Sequence, residues 1–472
     1  MNTRLPKTDR PVETFSAEGN VMSSNTKIPA TTAESELRLR RRRAVTSAWA
    51  GFAIDSYSIY VASTSLLPAM IYFQAHLSPS QLSVFVGMTF AATLIGRPIG
   101  ALLFGHFADR IGRRRVGSIT IYGFGTISLL IGVLPGAEQV GAGLATALLI
   151  GLRLIEGVFL GGEYTAATPM ALEYAPKGRR GFTGALIQCS ASGGPFVVAV
   201  LTSLVLLFAP NAGLHSPYVQ WGWRIPFIVG AVLAWLVAWF LRRRVEDSDV
   251  WKETARTKSP LRDMLRGQSG RAFIQSYLIM TGVFFAVNML GSVMPQLLLS
   301  NKGYTASDLA HTQLINAWPG MATYLFYGWL SDRIGRKRAL YIAAATTLVL
   351  SPVTLSLMGG GHVHGWLQLT ILASLTNVFI VGVLGVLPAY INERFATAVR
   401  SSGWGVAYST AVIIPAFFSY YQLWLAHVVP FVYTAGVLSA FGGLLVLVAV
   451  KAGPETRGVD LNTVGEKGAA RA

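Results

Sequence analysis

Five ionisable side chains, Asp55, Arg97, Arg153, Glu156 and Glu163, lie within stretches that are otherwise apolar. A charge kept inside a bilayer is costly, and such groups mark ion or substrate pathways. A carboxylate takes up and releases a proton. A guanidinium stays charged and presents a planar fork that fits another carboxylate. Together the two types could carry protons and recognise an organic anion. Arg153 and Glu156 are three residues apart, and Glu156 and Glu163 seven, so one helix would align all three on a single stripe facing something other than lipid. Asp55 is the only acid in its apolar run. Arg97 has no partner close in sequence, and an anion would satisfy its fork. The competing reading for each is a fixed buried ion pair that holds helices together. Tyr57, Gln188, Asn288, Asn316 and Asn377 are the polar candidates for lining a substrate cavity, although each could instead bridge two helices by a hydrogen bond.

A second set is polar and repeated. Gly105-x-x-x-Asp109-Arg110-Ile111-Gly112-Arg113-Arg114-Arg115 returns as Gly328-x-x-x-Asp332-Arg333-Ile334-Gly335-Arg336-Lys337-Arg338. Asp332 follows Asp109 by 223 residues (332 − 109), close to half of the 472-residue chain. Glu173 precedes Arg180 by seven residues, and Glu393 precedes Arg400 by seven. Topology charge alone explains the basic residues but not four acids at matching places. Asp109, Arg113, Glu173 and Arg180, with Asp332, Arg336, Glu393 and Arg400, are what a reversible gate between two halves needs. Partly exposed pairs contribute around 1 kcal/mol each, enough to bias a conformational equilibrium without locking it.

These residues need a membrane scaffold to position them. The chain is 52% hydrophobic and only 13% charged, against roughly a quarter charged in soluble proteins. A span needs about 20 apolar residues, and twelve such runs can be counted, centred near residues 60, 96, 126, 156, 198, 234, 285, 324, 348, 379, 412 and 440. The predicted fold is an all-α membrane protein with twelve transmembrane helices in two six-helix halves. Residues 1–37 read as a disordered tail, 38–241 as the first half, 242–270 as a charged central loop, 271–451 as the second half and 452–472 as a second tail. A short amphipathic helix is expected near Pro260. Alternate loops concentrate Arg and Lys, while those on the other side hold only Lys302. Basic loops stay cytoplasmic, so both termini are expected there.

Several function classes drop out. The +17 net charge could suggest nucleic acid, but orientation of short loops explains it without that partner. With one cysteine, Cys189, no internal disulfide or cysteine cluster can form. His362 and His364 do not make a metal set, and no metal or cofactor is expected. The glycines around Gly193-Gly194-Pro195 lack the Lys-Ser/Thr ending of a phosphate-binding loop. No catalytic motif emerges.

The repeated loops after the second and eighth runs resemble the signature loop of the major facilitator superfamily. Pro169…Glu173…Pro176…Arg180-Gly181 and Pro454-Glu455-Thr456-Arg457-Gly458 are similar to its sugar-porter type. Gly96-Arg97-Pro98-Ile99-Gly100, Gly161-Gly162-Glu163-Tyr164 and Trp223-Arg224-Ile225-Pro226-Phe227 resemble the metabolite:proton symporter family. That family usually has two acids in its first helix; Asp55 keeps one, and Ser58 stands where the second would be. The resemblance implies a secondary transporter of the plasma (inner) membrane, acting as a monomer in the lipid bilayer. Members of that family carry organic acids, osmolytes and similar metabolites; with the Arg97 and Arg153 forks, the substrate expected here is a small polar metabolite, an organic anion bearing a carboxylate, moved by proton symport. The resemblance further implies that Asp55 pairs with Arg153 across the cavity, with Glu156 and Glu163 as the other proton-coupling candidates. An uncoupled facilitator or exporter of the same fold is the alternative, followed by a transporter-derived metabolite sensor.

Overall fold

The computed structural model describes residues 30–74, 79–247, 259–299, 306–360, 363 and 365–461. The expected tail from residue 1 to 29, most of the central loop, Lys302, His362 and His364 lie outside them. Twelve helical passages follow one another: α1 (Ala30–Val61), α2 (Pro79–Ile111), α3 (Arg113–Gly132), α4 (Ala142–Glu173), α5 (Arg180–Gln188, resumed as Gly193–Phe208), α6 (Arg224–Arg244), α7 (Gly267–Asn288, resumed as Met294–Leu299), α8 (Ala306–Ile334), α9 (Arg336–Gly359), α10 (Trp366–Asn392), α11 (Arg400–Thr410, then Ile413–Ala416 and Phe418–Leu425) and α12 (Phe431–Lys451). A short helix, Pro260–Met264, precedes α7, where the amphipathic segment was expected. The described residues 30–39 belong to a unit of their own, in which Arg38 pairs with Glu34 one turn earlier at 2.5 Å.

Among the described residues nine helices are long and apolar enough to cross a membrane. The other three passages are α1, α8 and α11: α1 and α8 carry more polar sequence, and α11 is broken into short pieces. Large apolar side chains such as Leu236, Trp239, Ile274, Val349 and Val448 remain exposed. Water would penalise such a surface; hydrocarbon does not.

Three boundaries differ from expectation. Helix begins at Ala30 rather than after residue 37, because Glu, Leu, Arg and Ala favour helix and an i,i+4 ion pair supports the first turns. Helix α6 runs on through Arg242, Arg243 and Arg244, since basic residues complement the negative end of the helix dipole. Helix α7 starts at Gly267, four residues before the expected boundary.

Glycines set the closest helix contacts. In α2 a side chain at Gly96 or Gly100 would strike the backbone of Leu154 or Val158 in α4, and one at Gly157 or Gly161 would strike Thr93 or Arg97 in return. Two small-x-x-x-small faces thus interlock, as in close membrane packing. This fixes the mutual rotation of the two helices that carry Arg97, Arg153, Glu156 and Glu163. The repeated loops are sharp because Gly112 and Gly335 adopt φ of 108° and 104°, a region L-residues rarely enter. Between the halves, α11 packs on α2 and α4, while α5 packs on α8 and α10. One seam is the pseudo-symmetric image of the other.

Candidate functional site

Asp55 of α1 and Arg97 of α2 form a buried ion pair, with Arg97 Nη2 donating to Asp55 Oδ2 at 2.5 Å. This corrects the expected Asp55–Arg153 pair. Arg153 Nη1 instead donates to Glu156 Oε2, three residues along α4, at 2.5 Å. Ser58 Oγ donates to Glu156 Oε1 at 2.8 Å. The first-helix position expected to hold a second acid therefore supplies a hydroxyl to a carboxylate on α4. α4 itself supplies an acid at i+3, which takes Arg153 Nη1; the same nitrogen reaches the Ser58 carbonyl of α1 at 3.5 Å, while Nε and Nη2 have no hydrogen bond among the described residues. Arg97, lacking such a neighbour, takes Asp55.

Glu163 is buried, and neither carboxylate oxygen makes a hydrogen bond among the described residues. It sits against α1 where Gly51 leaves room; any side chain at Gly51 would run into its carboxylate. Asp55 and Arg97 are the charged groups that act on it. Two carboxylates and one guanidinium thus share one region, one turn apart along α1.

An aromatic cluster lies beside these charges and spans both halves. The Tyr164 ring of α4 lies tilted against Tyr408 and Trp404 of α11, with centroids 4.4 and 5.1 Å away, and against Phe52 of α1 at 4.6 Å. Trp404 Nε1 donates to the Tyr164 carbonyl at 3.2 Å. Sequence reasoning misses Tyr164 and Trp404; the one signal for Tyr164 is its place beside Glu163 in Gly161-Gly162-Glu163-Tyr164.

Of the polar cavity candidates, Gln188 belongs here: its Oε1 accepts from Tyr164 at 2.9 Å. The others are held elsewhere. Tyr57 donates to the Pro226 carbonyl at 2.6 Å and packs under Gly230. Asn288 donates to the Pro415 carbonyl at 2.9 Å. Asn316 accepts from Ser374 at 2.5 Å, and Asn377 donates to the Asn316 carbonyl at 2.8 Å. Each of these four bridges two helices. A buried amide or hydroxyl needs a partner, and here backbone carbonyls and the Ser374 hydroxyl of facing helices supply one.

At the end of the bundle with the basic loops, the basic face, all eight gate candidates converge. The Asp109 carboxylate accepts the backbone N–H of Ser401 at 3.1 Å and of Ser402 at 2.8 Å, at the start of α11. In the mirror seam Asp332 accepts Gly181 and Phe182 N–H at 2.9 and 2.8 Å, at the start of α5. Each signature Asp therefore caps a helix N-terminus of the opposite half, where backbone donors and the dipole favour an anion. Arg113 bonds Glu173 and reaches the Thr397 carbonyl at 3.1 Å. Arg400 donates to Glu173 across the seam at 2.5 Å. Arg336 donates to Asp332 at 2.6 Å and to Glu393 at 3.2 Å, while Arg180 approaches Glu393 at 4.0 Å. The acids thus pair with backbone as much as with Arg, which spacing could not reveal. With both seams joined, the basic face is closed.

Two further acids anchor the loops. Glu455 accepts Arg336 N–H at 2.8 Å and Lys337 N–H at 3.0 Å, capping α9. Burial pushes its carboxyl up, but backbone donors from Arg457, Arg336, Lys337 and Thr456 prevail and hold it below the usual carboxylate range. In the first half the equivalent position is taken by Asp247, which accepts Arg114 N–H at 2.8 Å. Downstream of Glu455 the chain crosses the seam: Arg180 donates to the Val459 carbonyl at 2.7 Å, and Lys177 pairs with Asp460 at 2.6 Å.

Known proteins share this architecture. The family model described as "Sugar (and other) transporter" matches residues 43–258, and that described as "Major Facilitator Superfamily" matches residues 276–470. The α-ketoglutarate permease of Escherichia coli (strain K12) is 30% identical over 403 residues, covering 84% of this chain and 87% of the permease. The shikimate transporter of the same organism is 27% identical over 384 residues, covering 79% and 85%. Among solved structures the proton:xylose symporter XylE, bound to 6-bromo-6-deoxy-D-glucose, superposes with a TM-score of 0.72 at 19% identity, covering 91% of this chain and 99% of that one. The chain belongs to the major facilitator superfamily and is a multi-pass membrane transporter.

Proposed function

We propose that this transporter imports a small, carboxylate-bearing metabolite together with protons, by alternating access of its two halves about a central site. The observation that carries the reading is the buried Asp55–Arg97 pair beside the aromatic seam. A proton on Asp55 removes its charge and frees the Arg97 fork, which then suits a substrate carboxylate. Loading of proton and substrate thereby becomes interdependent. Glu163, buried against Gly51 one turn before Asp55 and without a hydrogen bond of its own among the described residues, is a second group there that could hold a proton. Shikimate and α-ketoglutarate, named for the two relatives, are both carboxylates. The basic face would lie in the cytoplasm, and the eight charged residues there would form the gate.

Proteoliposomes under an imposed inward proton gradient test the proposal, with labelled shikimate and α-ketoglutarate as first substrates. Accumulation above the external concentration is expected. Equilibration without accumulation would make the protein a facilitator, and binding without flux a sensor.

A further inference from the structure

On the flank of the first half α3 and α6 lie side by side and leave two hollows that meet at Tyr122. The upper one, at the basic face, encloses about 280 Å³ and is lined by Arg114, Arg115, Ser118, Ile119, Tyr122 and Arg242. Below it a groove of about 640 Å³ runs between Tyr122, Thr126, Val232, Trp235, Leu236 and Trp239. Three guanidinium groups thus stand directly over an apolar, tryptophan-lined channel. Arg114 is partly engaged, donating to the Val245 carbonyl at 3.3 Å. Among the described residues Arg115 and Arg242 make no hydrogen bond or ion pair. One carboxylate, Asp247, comes near, held on the Arg114 backbone N–H at 2.8 Å. Positive charge therefore exceeds negative, and two forks remain unused.

The flank carries exposed Leu236 and Trp239, so the occupant comes from the bilayer side. From Trp239 to Val232 the groove follows two turns of helix, about 10 Å, a length that takes the upper part of an acyl chain. Tryptophan and tyrosine at this depth suit the boundary between headgroup and hydrocarbon. Basic pockets between helices on the cytoplasmic side are suited to anionic headgroups.

We propose that the α3–α6 flank is a binding site for an anionic diacyl phospholipid. The phosphate sits among Arg114, Arg115 and Arg242, and one chain lies along Trp235 and Trp239. The proposal is independent of what the protein transports.

The test is native mass spectrometry of the purified full chain, titrated with dioleoylphosphatidylglycerol or dioleoylphosphatidylcholine. The wild type is expected to retain phosphatidylglycerol in preference. Arg115→Gln/Arg242→Gln should weaken that retention by roughly tenfold to thirtyfold. Arg243→Gln/Arg244→Gln removes the same charge from the same face, at the end of α6 but outside the hollow, and should change it less than twofold. All four are exposed positions, and circular dichroism checks that both variants fold. Equal loss in the two variants would reduce the site to diffuse surface charge and overturn the proposal. So would equal retention of both lipids, or displacement by inorganic phosphate beyond that by chloride at matched ionic strength.

Discussion

Arg97 reaches from α2 to the carboxylate of Asp55 on α1 and closes a 2.5 Å ion pair with almost no exposure to solvent. Removing one partner of such a pair leaves the other charge buried, which typically costs about 3–5 kcal/mol. A transporter can keep the pair only if something else satisfies Arg97 when Asp55 is neutralised. A proton on Asp55 with an anion on Arg97 is one solution, and the nearby Glu163 is another. This dependence makes the pair the point at which coupling is best tested.

The gate can be tested without touching that centre. Asp109→Asn removes the anion that caps the α11 N-terminus through Ser401 and Ser402. The loss should be about 1–2 kcal/mol, which changes the ratio of closed to open basic face by a factor of roughly 5–30. Uptake should fall while the amount of folded protein in the membrane holds. Asp332→Asn, in the mirror seam, should behave alike. Unchanged uptake at several substrate concentrations in both variants would reject the gate role.

Orientation has its own check. In a Cys189→Ser background, a cysteine at His215, exposed before α6, should react with an impermeant thiol reagent added outside. One at Gly178, exposed on the basic face with open space around it, should react only after permeabilisation. The opposite labelling pattern would invert the topology.

Glu455 gives a pH dependence whose sign is fixed. Its folded carboxyl is held below the ordinary range, so it contributes stability above the unfolded value. That contribution is lost as pH falls through the folded value. Glu455→Gln should therefore lower the Tm by the same amount at neutral and mildly acid pH, because the wild-type group is ionised throughout. The difference between variant and wild type should shrink only below about pH 4. A difference that already closes between pH 7 and pH 5 would contradict the capping role.

The charged cluster at the basic face was legible in the sequence because it is written twice. Asp109 and Asp332, or Glu173 and Glu393, mark positions that a single copy would have left as topology charge. The central site was less legible because helices separated by long stretches of chain meet there. Whether Asp55 faces Arg97 or Arg153 depends on how α1, α2 and α4 rotate about their axes. For α2 and α4 that rotation is set by the Gly96, Gly100, Gly157 and Gly161 contacts, which a one-dimensional spacing does not encode. Likewise Asn288, Asn316 and Asn377 read as possible ligands only because their carbonyl and serine partners lie on other helices or at breaks such as the one in α11.

Coupling is the strongest test, and Asp55→Asn with Glu163→Gln divides it. Asn keeps the size of Asp55 but cannot take up a proton, so the variant imitates the protonated state. Exchange of labelled for unlabelled substrate needs only reorientation of the loaded carrier and should survive in part. Net accumulation needs the proton to leave, and should fall to the level seen without a gradient. The variant should fold, because Glu163 has no hydrogen bond of its own and can take over as the counter-charge of Arg97. Glu163→Gln leaves the Asp55–Arg97 pair in place and should keep gradient-driven accumulation, at a reduced rate. The double variant leaves Arg97 with neither acid, so its Tm should fall well below that of either single variant, as the cost of an unpaired buried charge of about 3–5 kcal/mol requires. Normal accumulation by well-folded Asp55→Asn would remove Asp55 as the proton carrier. If Glu163→Gln were then the variant that failed to accumulate, the carrier role would pass to Glu163.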